Sequence, residues 1–221
     1  MSKSITNAVI IGATGLVGEQ LVNQLIALET CQKIKLFVRK PHAGFSTHKK
    51  VEQVVIDNFM QLKSEDVTGF DFAFSCLGTT LKKAGSKDAF YHIDYEINAH
   101  FAQLLTAHGT HFVFISAMGA NSQSVFFYNQ VKGELEDYVQ QLDLAQLSIL
   151  RPSLLLGERP EARTLEDLSQ QLFQKVSHFI PKRFKYRPVT AAQVAHTMVV
   201  VAQQQTEKRR IYDNLAIQQT Q

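Results

Sequence analysis

The most constraining feature of the chain is a strand, a glycine-rich turn and a helix that follow one another near its beginning. The apolar run Ala8–Ile11 leads into Gly-Ala-Thr-Gly-Leu-Val-Gly at 12–18, and residues 19–28 show a helical apolar face. Glycines at this spacing permit a tight turn, the approach of a pyrophosphate to the backbone, and close packing of the helix on its strand. The turn therefore favours a dinucleotide site over an ordinary glycine-rich loop, and the residues predicted to line it are Gly12, Thr14, Gly15, Leu16, Val17 and Gly18.

Apolar runs alternate with helical patterns along the whole chain. This alternation is typical of a Rossmann-type α/β fold, a doubly wound parallel sheet with helices on both faces. The length of 221 residues predicts a single NAD(P)-binding domain over 1–221, in which about 157–221 contributes a small substrate region. The predicted strands are Ala8–Ile11, Ile34–Val38, Gln53–Ile56, Phe72–Cys76, Phe112–Ser116, Ser148–Leu150 and Ile211–Asp213.

Composition removes several classes of function. The chain has 23 Lys and Arg against 20 Asp and Glu and no long basic block, so nucleic-acid binding is not expected. Cys31 and Cys76 show neither disulfide nor metal-ligand spacing, which fits a reducing, cytoplasmic compartment and no metal site. No apolar stretch resembles a signal peptide or a membrane span. The expected partner is a small-molecule substrate, and a homodimer is compatible with the sequence.

The end of the second predicted strand bears on the choice between NAD and NADP. A carboxylate roughly 20 residues beyond the glycine turn bonds the ribose hydroxyls of NAD, whereas an arginine accommodates the 2′-phosphate of NADP. This strand ends in Phe-Val-Arg-Lys-Pro at 37–41, with no acidic residue beside Arg39. Because a guanidinium holds a phosphate through paired charged hydrogen bonds, the sequence predicts NADP or NADPH. The alternative for Arg39 is a surface cation at a strand end.

Two other strand ends offer cofactor contacts. The carboxylate of Asp57 could accept a hydrogen bond from the adenine amino group, or Asp57 and Asn58 could cap the next turn. Cys76, Leu77 and Gly78 end the fourth predicted strand, where a small residue would let the backbone pass beside the cofactor ribose. A simple glycine turn is the alternative there.

Ser116, Tyr128 and Lys132 form the candidate catalytic set. The Tyr and the Lys are four residues apart on one helical face, and the Ser ends a strand 12 residues before the Tyr. Because a free phenol titrates at about pH 10, proton exchange with a carbonyl near neutral pH needs a nearby cation. Lys132 can supply that charge and bond the nicotinamide ribose, while Ser116 can hold the carbonyl oxygen. For Tyr-x-x-x-Lys alone, the alternative is an amphipathic surface helix.

These residues, in this order, resemble the short-chain dehydrogenase/reductase superfamily over nearly the whole chain. The sequence is more closely similar to the Tat-interacting-protein-like branch of its atypical members at Cys-Leu-Gly-Thr-Thr (76–80), Lys-Ala-Gly (83–85), Ser116, Tyr128 to Glu134 and Leu-Arg-Pro (150–152). The resemblance implies NADPH binding by Gly12, Gly15, Gly18 and Arg39, and catalysis by Ser116, Tyr128 and Lys132.

The same resemblance adds three positions. It implies that Pro152 lies where the backbone passes the carboxamide of nicotinamide. It matches Asn98 loosely to an asparagine that extended members use in proton relay. Thr190 and Gln193 stand in a segment similar to the one that leads into a late helix, and their spacing is that of a capping box.

The leading functional hypothesis is an NADPH-dependent oxidoreductase that reduces a small carbonyl compound, with Tyr128 as proton donor. A nonenzymatic NADP(H)-binding redox sensor is the alternative from another class, and the intact Ser-Tyr-Lys set favours the enzyme. A nucleotide-sugar epimerase or dehydratase would use the same residues with NAD, but the chain after 157 leaves little room for its substrate. The apolar segment Leu165–Phe184 is either a pocket lid or core.

Overall fold

A computed structural model describes residues 3–106, 108–156 and 184–220 of the chain. The strands in these ranges are β1 (Asn7–Ile11), β2 (Lys33–Val38), β3 (Val51–Val55), β4 (Phe72–Ser75), β5 (His111–Ile115), β6 (Gln146–Leu150), β7 (Leu155–Leu156), β8 (Val189–Thr190) and β9 (Arg209–Tyr212). The longer helices are α1 (Leu16–Ala27), α5 (Ile97–Leu104), α6 (Phe127–Gln141) and α7 (Ala191–Gln204), and the shorter ones are α2 (Ser64–Val67), α3 (Leu81–Ala84), α4 (Lys87–Tyr91) and α8 (Asn214–Gln219).

Seven of the strands form one parallel sheet in the order β3-β2-β1-β4-β5-β6-β9. The order reverses between β1 and β4, and in open sheets of this kind ligands bind at the carboxyl ends of the strands beside that reversal. The predicted Rossmann-type sheet is therefore confirmed, and the glycine turn after β1 lies at the edge where a ligand is expected.

Helices cover both faces of the sheet, so the doubly wound arrangement is confirmed as well. On one face α1 and α7 bury apolar side chains such as Leu21 and Met198 against the strands. On the other face α5 and α6 do the same with Phe101 and Leu135. Burial on both faces explains why the strands read as continuous apolar runs.

All seven predicted strands of the sheet are present, and their bounds differ by one or two residues. β3 begins at Val51 because this residue still pairs with Ile34 of β2. The last strand stops at Tyr212, and the predicted Asp213 instead caps α8 by accepting a hydrogen bond from the Ala216 amide at 2.9 Å.

A small second sheet was not predicted. It pairs β7 with β8 in parallel and returns the chain to the start of α7. The capping box predicted there is confirmed, since the Thr190 hydroxyl accepts from the Gln193 amide at 3.1 Å and the Gln193 side chain accepts from the Thr190 amide at 2.9 Å. Residues 157–183 lie outside the described residues, and with them most of the segment Leu165–Phe184, so the substrate region stays a prediction. Within the described ranges, no helix is long and apolar enough to span a membrane.

Candidate active site

The glycine turn between β1 and α1 leaves no room for side chains at its two ends. Gly12 has a φ of +75°, and a Cβ on it would lie 2.4 Å from the backbone nitrogen of Leu77. A Cβ on Gly18 would lie 2.1 Å from the carbonyl oxygen of Gly12. The backbone of the turn therefore lies in close contact with α1 on one side and with the loop after β4 on the other.

The middle of the turn is open. A Cβ on Gly15 would meet a single neighbour, the carbonyl oxygen of Gly12 at 3.4 Å, and Thr14 and Gly15 are both exposed. Gly15 is also the N-cap of α1 and has no side chain to accept hydrogen bonds from the first amides of that helix. Open space in front of free helical amides fits the pyrophosphate of a dinucleotide.

The other predicted residues of the turn contribute through the backbone. Val17 is buried, and Leu16 packs against the same apolar core, so their side chains face the protein interior. Contact with a phosphate at these two positions would therefore use the amide groups.

Arg39 and Asp57 lie at the ends of neighbouring strands, beyond β2 and β3, and both are exposed. Of the cap that the sequence offered as the alternative role of Asp57 and Asn58, the structure shows the bond of Asn58, whose side chain accepts from the Met60 amide at 2.9 Å. The position of Arg39 leaves its guanidinium accessible to a ligand at the carboxyl edge of the sheet.

The loop after β4 lies between the glycine turn and α6 and contacts both. Its first residues, Cys76 and Leu77, form the backbone surface against which Gly12 packs. Next in the chain, Gly78 stands beside Lys132, because a Cβ on Gly78 would lie 3.5 Å from the lysine Nζ. Burial raises the pKa of the Cys76 thiol. Pro152, shortly after the end of β6, is buried, and its carbonyl accepts a hydrogen bond from the Met118 amide at 2.9 Å.

Lys132 is buried and forms an ion pair with Asp94, with its Nζ 2.7 Å from Oδ1 of the carboxylate. The other carboxylate oxygen accepts a hydrogen bond from the Thr79 amide at 2.9 Å. Burial works to lower the pKa of Lys132, but Asp94, Tyr128 and Glu136 outweigh it, so the pKa is raised above its ordinary value. The lysine is therefore an ammonium group at neutral pH.

Tyr128 is the second residue of α6, lies one turn before Lys132 and is 37% exposed. Its ring lies against that of Phe90, with the centroids 5.6 Å apart. The predicted Tyr–Lys pair thus shares one helical face, with the lysine inside the protein and the phenol partly exposed.

Ser116 follows β5, is buried, and donates its hydroxyl proton to the carboxylate of Glu136. Arg151 pairs with the same carboxylate and places its Nε 2.9 Å from Oε1. The hydrogen bond from Ser116 to Glu136 directs the serine proton into the interior. Donation to a carbonyl oxygen would therefore require the hydroxyl group to rotate.

Asp94 and Glu136 are the charged residues of the site that the sequence did not identify. Glu136 stands one turn after Lys132, so helical spacing could have suggested it. Asp94 lies 38 residues before Lys132 on a segment with no motif, the π-helical turn His92–Glu96. Asn98 supports this turn, since its side-chain amide donates to the carbonyls of Ile93 and Asp94 at 3.0 and 3.3 Å.

Comparison with known proteins shows the family to which the chain belongs. The model of a family described as NAD(P)H-binding matches residues 12–205. Protein FMP52-1, mitochondrial, of Scheffersomyces stipitis is 35% identical over 204 residues, which cover 91% of this chain and 90% of the relative. Protein HTATIP2 of Rattus norvegicus is 36% identical over 168 residues, which cover 74% and 69%.

The fold is shared with solved structures. Human epimerase family protein SDR39U1 with NADPH superimposes with a TM-score of 0.65 at 14% identity, over 93% of this chain and 72% of that one. Complexes with NAD also occur among proteins of this fold. At these identities the likeness concerns the fold alone.

The expectation of a cytoplasmic protein is wrong by the same comparison, because several FMP52 relatives at 32 to 35% identity are named as mitochondrial. The cysteine argument failed because unpaired thiols report on redox conditions and do not distinguish one reducing compartment from another.

The matched family covers the glycine turn, the loop after β4, the Ser-Tyr-Lys set and α7 in one continuous stretch. Both relatives match most of the chain at more than a third identity. The chain therefore belongs to the NAD(P)H-binding family, and its relatives include HTATIP2 and FMP52.

Proposed function

We propose that the protein is an NADPH-dependent reductase of a small aldehyde or ketone. One observation carries the proposal, a continuous path of contacts along the carboxyl edge of the sheet. Gly12 packs on Cys76 and Leu77, and Gly78 lies beside Lys132, which shares α6 with Tyr128. A dinucleotide held in the glycine turn would therefore share one cleft with the acid–base groups.

The preference for NADPH rests on Arg39. Its exposed guanidinium follows β2, and the next residue, Lys40, is exposed too. A phosphate at this edge would find two cations and no neighbouring carboxylate in the sequence 37–41.

The proton chemistry belongs to α6. When bound, the reduced nicotinamide supplies a hydride to the carbonyl carbon. Tyr128 donates its phenolic proton to the carbonyl oxygen, and the ammonium of Lys132 stabilises the phenolate that remains. Asp94 holds the ammonium of Lys132 against the loop after β4. Its charge is therefore already in place when the proton moves.

The hydrogen bond to Glu136 supports a further role for Ser116, beside the predicted one of holding the carbonyl oxygen. Its proton points to Glu136, so its free lone pairs can accept a hydrogen bond from a phenol or an alcohol. We infer that Ser116 orients Tyr128 or the alcohol product, and that Glu136 and Arg151 fix its direction.

The hydrogen bond from Ser116 to Glu136 also favours a second candidate, a nonenzymatic dinucleotide sensor. A serine whose proton points inward is less suited to polarise a carbonyl. Incubation with NADPH and a panel of aldehydes and ketones, followed by the loss of nicotinamide absorbance, separates the two. Oxidation of NADPH that depends on one carbonyl supports the reductase. Tight NADPH binding without turnover on any member of the panel supports the sensor.

A further inference from the structure

Asp94 is a buried charge that neither the glycine turn nor the Ser-Tyr-Lys set accounts for. Its side chain is fully buried on the π-helical turn before α5. One carboxylate oxygen lies 2.7 Å from the Nζ of Lys132, and the other accepts the amide proton of Thr79. The carboxylate therefore joins α6 to the loop after β4.

Lys132 needs a counter-charge because of where it lies. Burial disfavours the charged form of any lysine, and a fully buried one can lose its proton near neutral pH. The groups that face Lys132 are Asp94 from the π-helical turn and Tyr128 and Glu136 from its own helix. Glu136 already binds Arg151 and Ser116. Among the described residues, Asp94 is thus the carboxylate that faces Lys132 and is not paired with another cation.

The carboxylate also fixes the position of the ammonium. A Cβ on Gly78 would lie 3.2 Å from the Asp94 carboxylate and 3.5 Å from the lysine Nζ, so three elements meet at this point without free space. The ammonium is held against the loop that borders the glycine turn.

We propose that Asp94 is a positioning residue that keeps Lys132 protonated and holds its ammonium group beside Gly78, where the cofactor and Tyr128 require the charge. The proposal rests on the proposed function for the use of NADPH as a probe. It extends that function by naming the group that allows a buried lysine to act as a cation.

The first test is the dissociation constant of NADPH between pH 5.5 and 9.5, measured by nicotinamide fluorescence for the parent and for Asp94→Asn. Asparagine keeps the shape of the side chain, but its single acceptor oxygen can serve either Thr79 or Lys132, so the change removes the charge together with one of the two hydrogen bonds. We expect the affinity of the variant relative to the parent to fall roughly tenfold or more as pH rises, because Lys132 loses its proton and with it a charged hydrogen bond. A ratio that is constant with pH would overturn the proposal.

The matched control is Asp143→Asn, which removes the carboxylate of an exposed ion pair with Lys208, 2.9 Å long. Its NADPH affinity should follow that of the parent at every pH. A pH-dependent loss in this variant as well would assign the effect to overall charge and count against Asp94.

The second test needs no cofactor. Thermal unfolding followed by circular dichroism compares Asp94→Asn with the double variant Asp94→Asn/Lys132→Met at pH 7. We expect the single variant to melt below the parent or to be unfolded, and the double variant to recover a cooperative transition at higher temperature, since it lacks the uncompensated ammonium. If the double variant melts no higher than the single one, Asp94 serves the fold independently of Lys132 and the proposal is wrong. A parent that binds no NADPH would contradict the proposed function, and the melting comparison would still decide about Asp94.

Discussion

The site combines exposed side chains with buried ones that are held by carboxylates. Arg39 and Tyr128 are exposed and stand next to motif residues, so their positions follow from local spacing. Ser116 and Lys132 are buried, and their roles depend on carboxylates contributed by other turns of the chain. A partner 38 residues away, like Asp94, leaves no periodic signal.

Replacement of Arg39 tests the cofactor preference. Arg39→Ala should weaken NADPH binding by about 1.5 to 3 kcal/mol, or roughly tenfold to more than a hundredfold, because a charged hydrogen-bonded contact is lost. NADH binding should change little, since NADH has no 2′-phosphate. Calorimetric titration of both cofactors measures the difference, with Arg210→Ala, an exposed arginine of β9, as the control. Equal affinity of the parent for NADPH and NADH would contradict the assignment.

Replacement of Gly15 tests the phosphate cradle. The residue has φ −86° and ψ 170°, an extended conformation that a β-branched side chain can adopt, and its Cβ would meet only one carbonyl oxygen, at 3.4 Å. Gly15→Val should therefore keep the far-ultraviolet circular dichroism of the parent and lose measurable dinucleotide binding. Gly44→Ala, at an exposed glycine of the 3₁₀ turn Ala43–Phe45, is the control and should bind normally. If a folded Gly15→Val protein still bound the dinucleotide, the pyrophosphate could not lie in this turn.

At the scale of elements, the sequence determined more of the fold than of the site. The inner strands of the large sheet were visible as apolar runs because both of their faces are covered by helices, whereas the edge strands β3 and β9 are more exposed. β7 and β8 were missed because two-residue strands show no period. The π-helical turn was missed because no motif marks it: Asn98, which donates to its carbonyls, accepts a hydrogen bond from Ser75 of β4, a partner 23 residues away in the sequence.

The capping box of α7 gives a prediction at this scale. Thr190→Ala removes the acceptor for the Gln193 amide and should lower the free energy of unfolding by about 1 kcal/mol. Urea denaturation measures the change, and Thr206→Ala, at an exposed loop threonine, should be close to neutral. Equal stability of the two variants would show that the cap contributes nothing to the fold.

At the scale of the whole molecule, stability depends on a buried polar cluster at the edge of the sheet opposite the site. His111 begins β5, and its Nε2 lies 2.8 Å from the Ser148 hydroxyl. Burial, with Lys3 nearby, lowers the pKa of His111 from 6.5 to about 4. The unfolded chain therefore binds a proton at a higher pH than the folded one, and folding loses stability as pH falls through this window.

We expect the free energy of unfolding to fall by up to about 3 kcal/mol between pH 7 and pH 4 through His111. His111→Gln, which does not titrate and can still bond Ser148, should flatten this part of the pH profile measured by urea denaturation. His108→Gln, at a partly exposed histidine, should retain the parent profile. A profile unchanged by His111→Gln would show that other groups set the acid sensitivity.

The central claim is that one cleft holds NADPH and passes a proton from Tyr128 to a carbonyl oxygen. The most direct measurement compares the parent with Tyr128→Phe on the best carbonyl substrate, recording both the NADPH dissociation constant and the steady-state rate. The ring of Phe fills the same place beside Phe90, so binding should remain within a few-fold of the parent, while turnover should fall by roughly a hundredfold or more, the scale of general acid catalysis. Turnover at the parent rate in Tyr128→Phe would contradict the account.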